Sequence, residues 1–264
     1  MWVSDILETA RYTRRGALYA RWTLTPADLV TGDSQELVDA AIASGAKPER
    51  SHLVQFGVDT DRFSPAPENR ALRARLGLEG RRVLFSARSI NPLYRQLVLL
   101  EALARLPVDV AVVMTRHWAQ EPEMAAVQRK IDELGIADRV RIVPTIEHGE
   151  MADMYRLSEA VISIPMSDGT PVTLLEAMSC GLPTVATDLP SVREWLGELD
   201  PEALVPVDDV AATATAIAAV LSRSPQKRAE IAARGRQIVL ERASYDRNMA
   251  LAESLYLGLR QKRG

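Results

Sequence analysis

AVISIPMSDGTPVTLLEAMSCGLPTVATD, residues 160–188, sets a short apolar run, a loop, a helix-period segment and a second apolar run end to end. AVISIPM and PTVATD are continuous in hydrophobicity, as strands buried on both faces are, whereas PVTLLEAMSC repeats its apolar positions with a helical period. Gly181 and then Pro183 close the helical segment before the second run begins. Strand, helix and strand in that order make a βαβ unit, which joins parallel strands.

The alternation extends in both directions. Upstream, RVLFSA precedes QLVLLEALARL, VDVAVVMT precedes PEMAAVQRKIDELG, and RVRIVP precedes GEMADMYRL; downstream come VREWL, ALVPV and two long Ala-rich helices. Pro107 and Gly135 supply further helix stops. Residues 69–243 therefore read as a complete doubly wound, Rossmann-like α/β domain, a parallel sheet covered on both faces. Before residue 69, LVTGDS (29–34) and HLVQFG (52–57) read as strands around the helix QELVDAAIASG, and VDTDRFSPAPEN as an exposed connector. Two strands do not make an independent domain of this kind. Residues 1–68 are thus expected to be the tail of a larger N-terminal domain plus a linker. Residues 244–264 form a last helix, expected to pack back toward that domain, with a basic end suited to the helix dipole.

With 264 residues, 47% hydrophobic and 25% charged, the chain can bury one or two substantial cores. A net charge of -3, with no basic patch on a defined module, argues against a nucleic-acid partner. One cysteine, Cys180, excludes an intrachain disulfide framework and a Cys-rich zinc site, and points to a reducing, cytoplasmic setting. Cys180 itself reads as core filling. The longest nearly apolar run, VAATATAIAAVL, is too short to span a bilayer. The early run RYTRRGALYARW interleaves four arginines with three aromatics, which suits either an anionic membrane surface or a solvated helix on the first domain.

In an open parallel sheet, ligands bind outside the carboxyl ends of the strands. AVISIPM ends there, and Ser167-Asp168-Gly169 leads into a helix whose expected N-cap is Thr170, with Pro171 at the first helical position. Such a start offers unpaired N–H groups and partial positive charge to a phosphate, and Gly169 lets the anion come close. Glu176 lies roughly 7–8 Å along the axis from Pro171, at about 1.5 Å per residue, and helical side chains lean back toward the N-terminus. Its two oxygens suit a vicinal diol, as ribose and hexose both offer. Arg88, after VLFSA, is expected at the same edge, and Arg95, near the start of the next helix, as a second cation on a diphosphate. Asp168 alone would be a turn residue and Glu176 a solvated helix residue; the marked helix start and the apolar neighbours Leu174, Leu175 and Met178 favour a site. His52, His117 and His148 are too scattered for a metal site, although Thr145 and His148 lie where a base could rest.

DGTPVTLLEAMSCGLP, followed by Glu194 in PSVREW, resembles the donor-binding signature of family-4-type (group 1) GT-B glycosyltransferases. The resemblance extends through ADLVTGDSQ, FGVDTDRFSP, SARSINPLYR and ASYDRNMALAESLY, and so covers nearly the whole chain. It implies a GT-B-like fold, a nucleotide-diphosphate sugar of the UDP or GDP type as donor, an acceptor hydroxyl, retention of configuration, and no metal or cofactor. It further implies that Glu176 holds the ribose, that Asp168 and the backbone of Gly169, Thr170, Pro171 and Val172 hold the sugar and diphosphate, and that Arg88 contacts phosphate. Departures from the pattern are Asp168 for the usual Glu, Ala87 for Gly, and Leu93 where a Lys is usual, which leaves Arg95 as the substitute. The family's glycine-rich acceptor-side loop has no counterpart here, so the chain reads as N-terminally truncated. Competing readings are a donor-binding fragment whose missing half comes from a partner chain, and a sugar-nucleotide epimerase of the same architecture.

Overall fold

The computed structural model describes residues 13–117, 119–144, 146 and 149–261. The first elements are α1 (Arg14–Leu24), β1 (Val30–Gly32), α2 (Gln35–Ala43) and β2 (Ser51–Leu53). β1 and β2 pair in parallel as a two-stranded sheet, and Ala20, Leu24, Val30, Leu37 and Ala41 form its small core. Ser34 starts α2 by accepting the Leu37 N–H.

The rest of the chain builds the larger layer structure. α3 (Arg70–Arg75), β3 (Arg82–Ser89), α4 (Gln96–Ala104), β4 (Val110–Thr115), α5 (Glu121–Leu134) and β5 (Val140–Val143) form the first half. α6 (Met151–Arg156), β6 (Ala160–Ser163), α7 (Val172–Ser179), β7 (Thr184–Thr187), α8 (Pro190–Leu196) and β8 (Leu204–Val205) form the second, and α9 (Val210–Ser222), α10 (Pro225–Arg242) and α11 (Tyr245–Gln261) follow. The six strands lie in the order β5-β4-β3-β6-β7-β8, every pair parallel, as the strand-helix alternation predicts. Side chains alternate between two cores: Val83, Phe85 and Val161 face α7, α8 and α10, whereas Leu84, Val112 and Ile162 face α4, α5 and α9.

The connector is mostly exposed, as expected, but it carries two buried anchors. Val58 and Phe63 are each 2% exposed, and the backbone between them is tied to the larger layer. The Val58 N–H donates to the Ala243 carbonyl at 2.7 Å and the Tyr245 N–H to the Val58 carbonyl at 2.9 Å. Arg236 donates to the carbonyls of Phe63 and Thr60, and Arg156 to those of Ser64 and Arg62. A polar, Pro-rich stretch reads as solvent from sequence because its backbone donors and acceptors are silent there. Gly57, at φ +76, approaches so closely that a Cβ would stand 2.7 Å from the Tyr245 Cα. The start of α11 therefore docks on the connector, while Leu251, Tyr256 and Leu257 stay exposed. Glu194 in α8 accepts the Gln35 N–H at 3.0 Å and so helps seat the start of α2 against the larger layer. Among the described residues no helix is long and apolar enough to cross a membrane.

Candidate functional site

Counted within the large sheet, the strand order is 3-2-1-4-5-6, and it reverses between β3 and β6. A crevice opens at the carboxyl ends of those two strands, where doubly wound sheets bind ligands. Arg88 lies on the last turn of β3, which runs on to Ser89 through a register shift after Ser86. Asp168 lies in the loop after β6. Arg88 Nη2 stands 2.7 Å from Asp168 Oδ2, with the two side chains 13% and 17% exposed. The guanidinium also covers the Tyr94 ring at 4.2 Å, and Nη1 donates to Thr173 Oγ1 at 3.4 Å. Ser191 holds the loop by donating its hydroxyl to the Asp168 carbonyl at 2.8 Å.

One turn further, the Tyr155 hydroxyl donates to Glu176 Oε2 at 2.7 Å. Tyr155 is fully buried, edge-on to Phe63 and Phe85 with centroids 5.8 and 5.2 Å away, so its hydroxyl is held in place from below. Burial pushes Glu176 up to about 7, against the hydrogen bond from Tyr155 and the nearby Arg88 charge. Burial also raises the Asp168 carboxyl; Arg88 opposes that, and the Asp33 charge adds to it. Tyr155 is itself raised well above the ordinary phenol, first by burial and then by Glu176. Glu176 and Val172 line a cleft of about 700 Å³ whose other wall is the connector from Gly57 to Phe63 and the start of α11.

Two expectations need correction. Thr170 is not the N-cap and Pro171 is not the first helical residue: Pro171 takes the N-cap place, α7 begins at Val172, and the Thr170 hydroxyl is donated to the Asp33 carbonyl. The backbone at Gly169, Thr170 and Pro171 thus forms the final loop before the helix. Arg95 does not join Arg88. It adopts the left-handed region at φ 54 and forms an ion pair with Asp208, 2.7 Å from Nε to Oδ1, beside a separate hollow of about 270 Å³ lined by Ile90, Leu97 and Val127. Thr145 and His148 lie outside the described residues. Sequence reading passed over Tyr94, Tyr155 and Asp33. Tyr94 stands next to Arg95 and was visible; Tyr155 and Asp33 reach the crevice only through the fold.

Chemically, Arg88 can donate to phosphate, and Asp168, Glu176 and the loop N–H groups can orient hydroxyls and an anion. The model of a family described as "Glycosyl transferases group 1" matches residues 68–238. D-inositol 3-phosphate glycosyltransferase of Geodermatophilus obscurus is 33% identical over 201 residues, 72% of this chain and 44% of that protein. Its namesake from Xylanimonas cellulosilytica is 30% identical over 243 residues, 89% of this chain and 58% of that protein. The chain spans about half the length of the curated relatives it matches. Among solved structures, Anabaena HepE in complex with UDP-glucose superposes with a TM-score of 0.85 at 22% identity, covering 96% of this chain and 70% of that one. WaaG, a glycosyltransferase involved in lipopolysaccharide biosynthesis, gives 0.75 at 18% identity, covering 93% and 68%.

Proposed function

Because the chain belongs to the group 1 glycosyl transferases of GT-B fold, we propose that it binds a nucleotide-diphosphate sugar and takes part in transferring the sugar to an acceptor hydroxyl. The observation that carries the reading is Arg88 at the switch point of the sheet, paired with Asp168 and donating to Thr173 one turn of α7 before Glu176. Glu176 accepts hydrogen bonds from the ribose hydroxyls. Arg88 exchanges Asp168 for the diphosphate, and Asp168, so released, accepts from the sugar together with the backbone of Gly169 to Val172. The anomeric C–O bond to phosphate breaks as the acceptor oxygen bonds the same face of the ring. The bonding pair leaves with the diphosphate, which takes up the acceptor's proton, and configuration is retained.

Arg88 and the loop N–H groups carry the charge of the leaving group, so the step is proposed to need no metal. A UDP donor is the first to test, given that HepE was solved with UDP-glucose. Residues 69–243 are the proposed donor domain, with residues 1–68 belonging to the acceptor side. Peripheral contact with an anionic membrane is proposed for α1, which exposes Leu18, Tyr19 and Trp22 beside Arg15 and Arg21. Calorimetry with UDP-, GDP- and ADP-sugars tests the reading: one nucleotide series binds, and Glu176→Ala abolishes it. No binding in any series, or binding that Glu176→Ala leaves intact, refutes it.

A further inference from the structure

Asp33 stands where the small sheet meets the loop that carries Asp168. It follows β1, and the next residue, Ser34, caps α2, so its backbone is fixed by a strand on one side and a helix start on the other. Thr170 closes the contact from the larger layer through its hydroxyl on the Asp33 carbonyl. Burial raises the Asp33 carboxyl, opposed among others by the Thr170 backbone N–H, and the Asp33 charge in turn adds to the rise of Asp168, so the carboxylate lies against the loop. One of its oxygens, Oδ1, is shielded from solvent and has no hydrogen-bond partner among the described residues.

A shielded carboxylate oxygen without a donor is disfavoured unless something else supplies one. Arg88 is already engaged by Asp168, Thr173 and the Tyr94 ring. A phosphate would be repelled, since Asp33 and Asp168 are like charges on the same side of the crevice. A neutral ring rich in hydroxyls is the chemistry that two neighbouring carboxylates accept. The Thr170 hydroxyl on the Asp33 carbonyl sets Asp33 beside the loop that carries Asp168, whereas Glu176 lies further along α7 on the Tyr155 hydroxyl, so Asp33 belongs to the end of the crevice away from the proposed ribose.

We propose that Asp33 is a sugar-contacting residue, its carboxylate accepting a hydrogen bond from a hydroxyl of the sugar on the nucleotide donor, alongside Asp168. The proposal rests on the donor reading above and extends it to the first domain: the small sheet supplies part of the sugar pocket, and Thr170 holds the two halves in register. The sequence reading passed over this residue, because by its local pattern TGDS marks the end of a strand and the start of a helix.

The test is calorimetry of the whole chain with UDP and UDP-glucose, and with GDP and GDP-mannose, for the wild type, Asp33→Asn and Asp33→Ala. Asparagine keeps the volume of the side chain and removes its charge, and alanine removes the acceptor altogether. The expected result is a loss of about tenfold or more in affinity for the nucleotide sugar, with the matching nucleotide changed less than twofold, as expected for one hydrogen bond to a charged acceptor. Equal losses for nucleotide and nucleotide sugar would mean that Asp33 acts only by holding the loop, and would overturn the proposal. So would affinities that neither variant changes. A wild type that binds none of the four ligands would refute the donor reading, and this inference with it; a wild type that binds while both variants match it refutes only the role of Asp33.

Discussion

Glu176→Gln should make the ligand-free protein more stable while weakening its proposed ligand. In the unfolded chain this carboxyl titrates near 4.5, and in the folded protein burial raises it to about 7. Between those values the folded state holds the proton and the unfolded state has released it, so stability falls as pH rises through this window. Above about pH 7 the full penalty is in place, and a displacement from 4.5 to about 7 corresponds to roughly 3 kcal/mol. Glutamine keeps the shape, can still accept the Tyr155 hydroxyl, and carries no charge to bury. Its stability advantage is therefore near zero at pH 4.5 and greatest at pH 8. At about 2–4 °C per kcal/mol for a domain of this size, the Tm gain at pH 8 is roughly 6 °C or more. The assay is thermal unfolding of both proteins from pH 4.5 to 8.5, with nucleotide-sugar calorimetry at pH 8, where the variant should bind about tenfold or more weakly. If Glu176→Gln melts at or below the wild type at pH 8, or if the two Tm profiles stay parallel from pH 5 to 8, the buried-carboxylate argument fails.

Arg88→Ala leaves Asp168 charged, mostly shielded and without its cation, and should destabilise the fold by about 3 kcal/mol, as breaking shielded pairs does; adding Asp168→Asn should restore most of that in denaturant titrations. Gly57→Ala places a Cβ 2.7 Å from the Tyr245 Cα at a positive φ, whereas Gly181→Ala shares the φ of +76 but meets nothing closer than 3.5 Å, so urea midpoints should fall further for the first. Treatment with EDTA followed by gel filtration should leave donor binding and any transfer rate unchanged, measured against untreated protein. Replacing Leu18, Tyr19 and Trp22 together with Ser should abolish co-sedimentation with phosphatidylserine-containing vesicles and leave binding of the donor in solution intact; retention on vesicles would remove α1 from the membrane reading.

The parts of this molecule that could be read from sequence are those whose cause is local. The βαβ unit at 160–188 is one: its strand hydrophobicity, helix period and Gly-Pro stop lie within a single span, and the sheet follows from repeating it. Arg88 and Asp168 are legible for the same reason, since the end of a parallel strand fixes which edge a residue occupies. The errors arise where a distant partner decides. Arg95 has the right spacing for a second phosphate cation, but Asp208, 113 residues away, takes it. Thr170 has the right identity for an N-cap, but the Asp33 carbonyl, 137 residues away, takes its hydroxyl. Tyr155 carries no local signal in its helix, and only the packing of α6 beneath α7 turns its hydroxyl onto Glu176.

These distant partners change the electrostatics of the crevice as well as its geometry. Without Arg95, one guanidinium stands among three carboxyls, Asp33, Asp168 and Glu176, so the ligand-free crevice carries excess negative charge, which protonation of Glu176 reduces but does not remove. A diphosphate entering it must draw Arg88 away from Asp168 and leave that acid to a new donor. Phosphate alone offers no such donor, because its ionised oxygens only accept hydrogen bonds. A hydroxylated ring attached to the phosphate does, and it arrives on the side where Asp168 and Asp33 wait. On the proposed donor reading, the charge balance favours the complete nucleotide sugar over either the nucleotide or inorganic diphosphate, and that preference depends on acids contributed by both sheets.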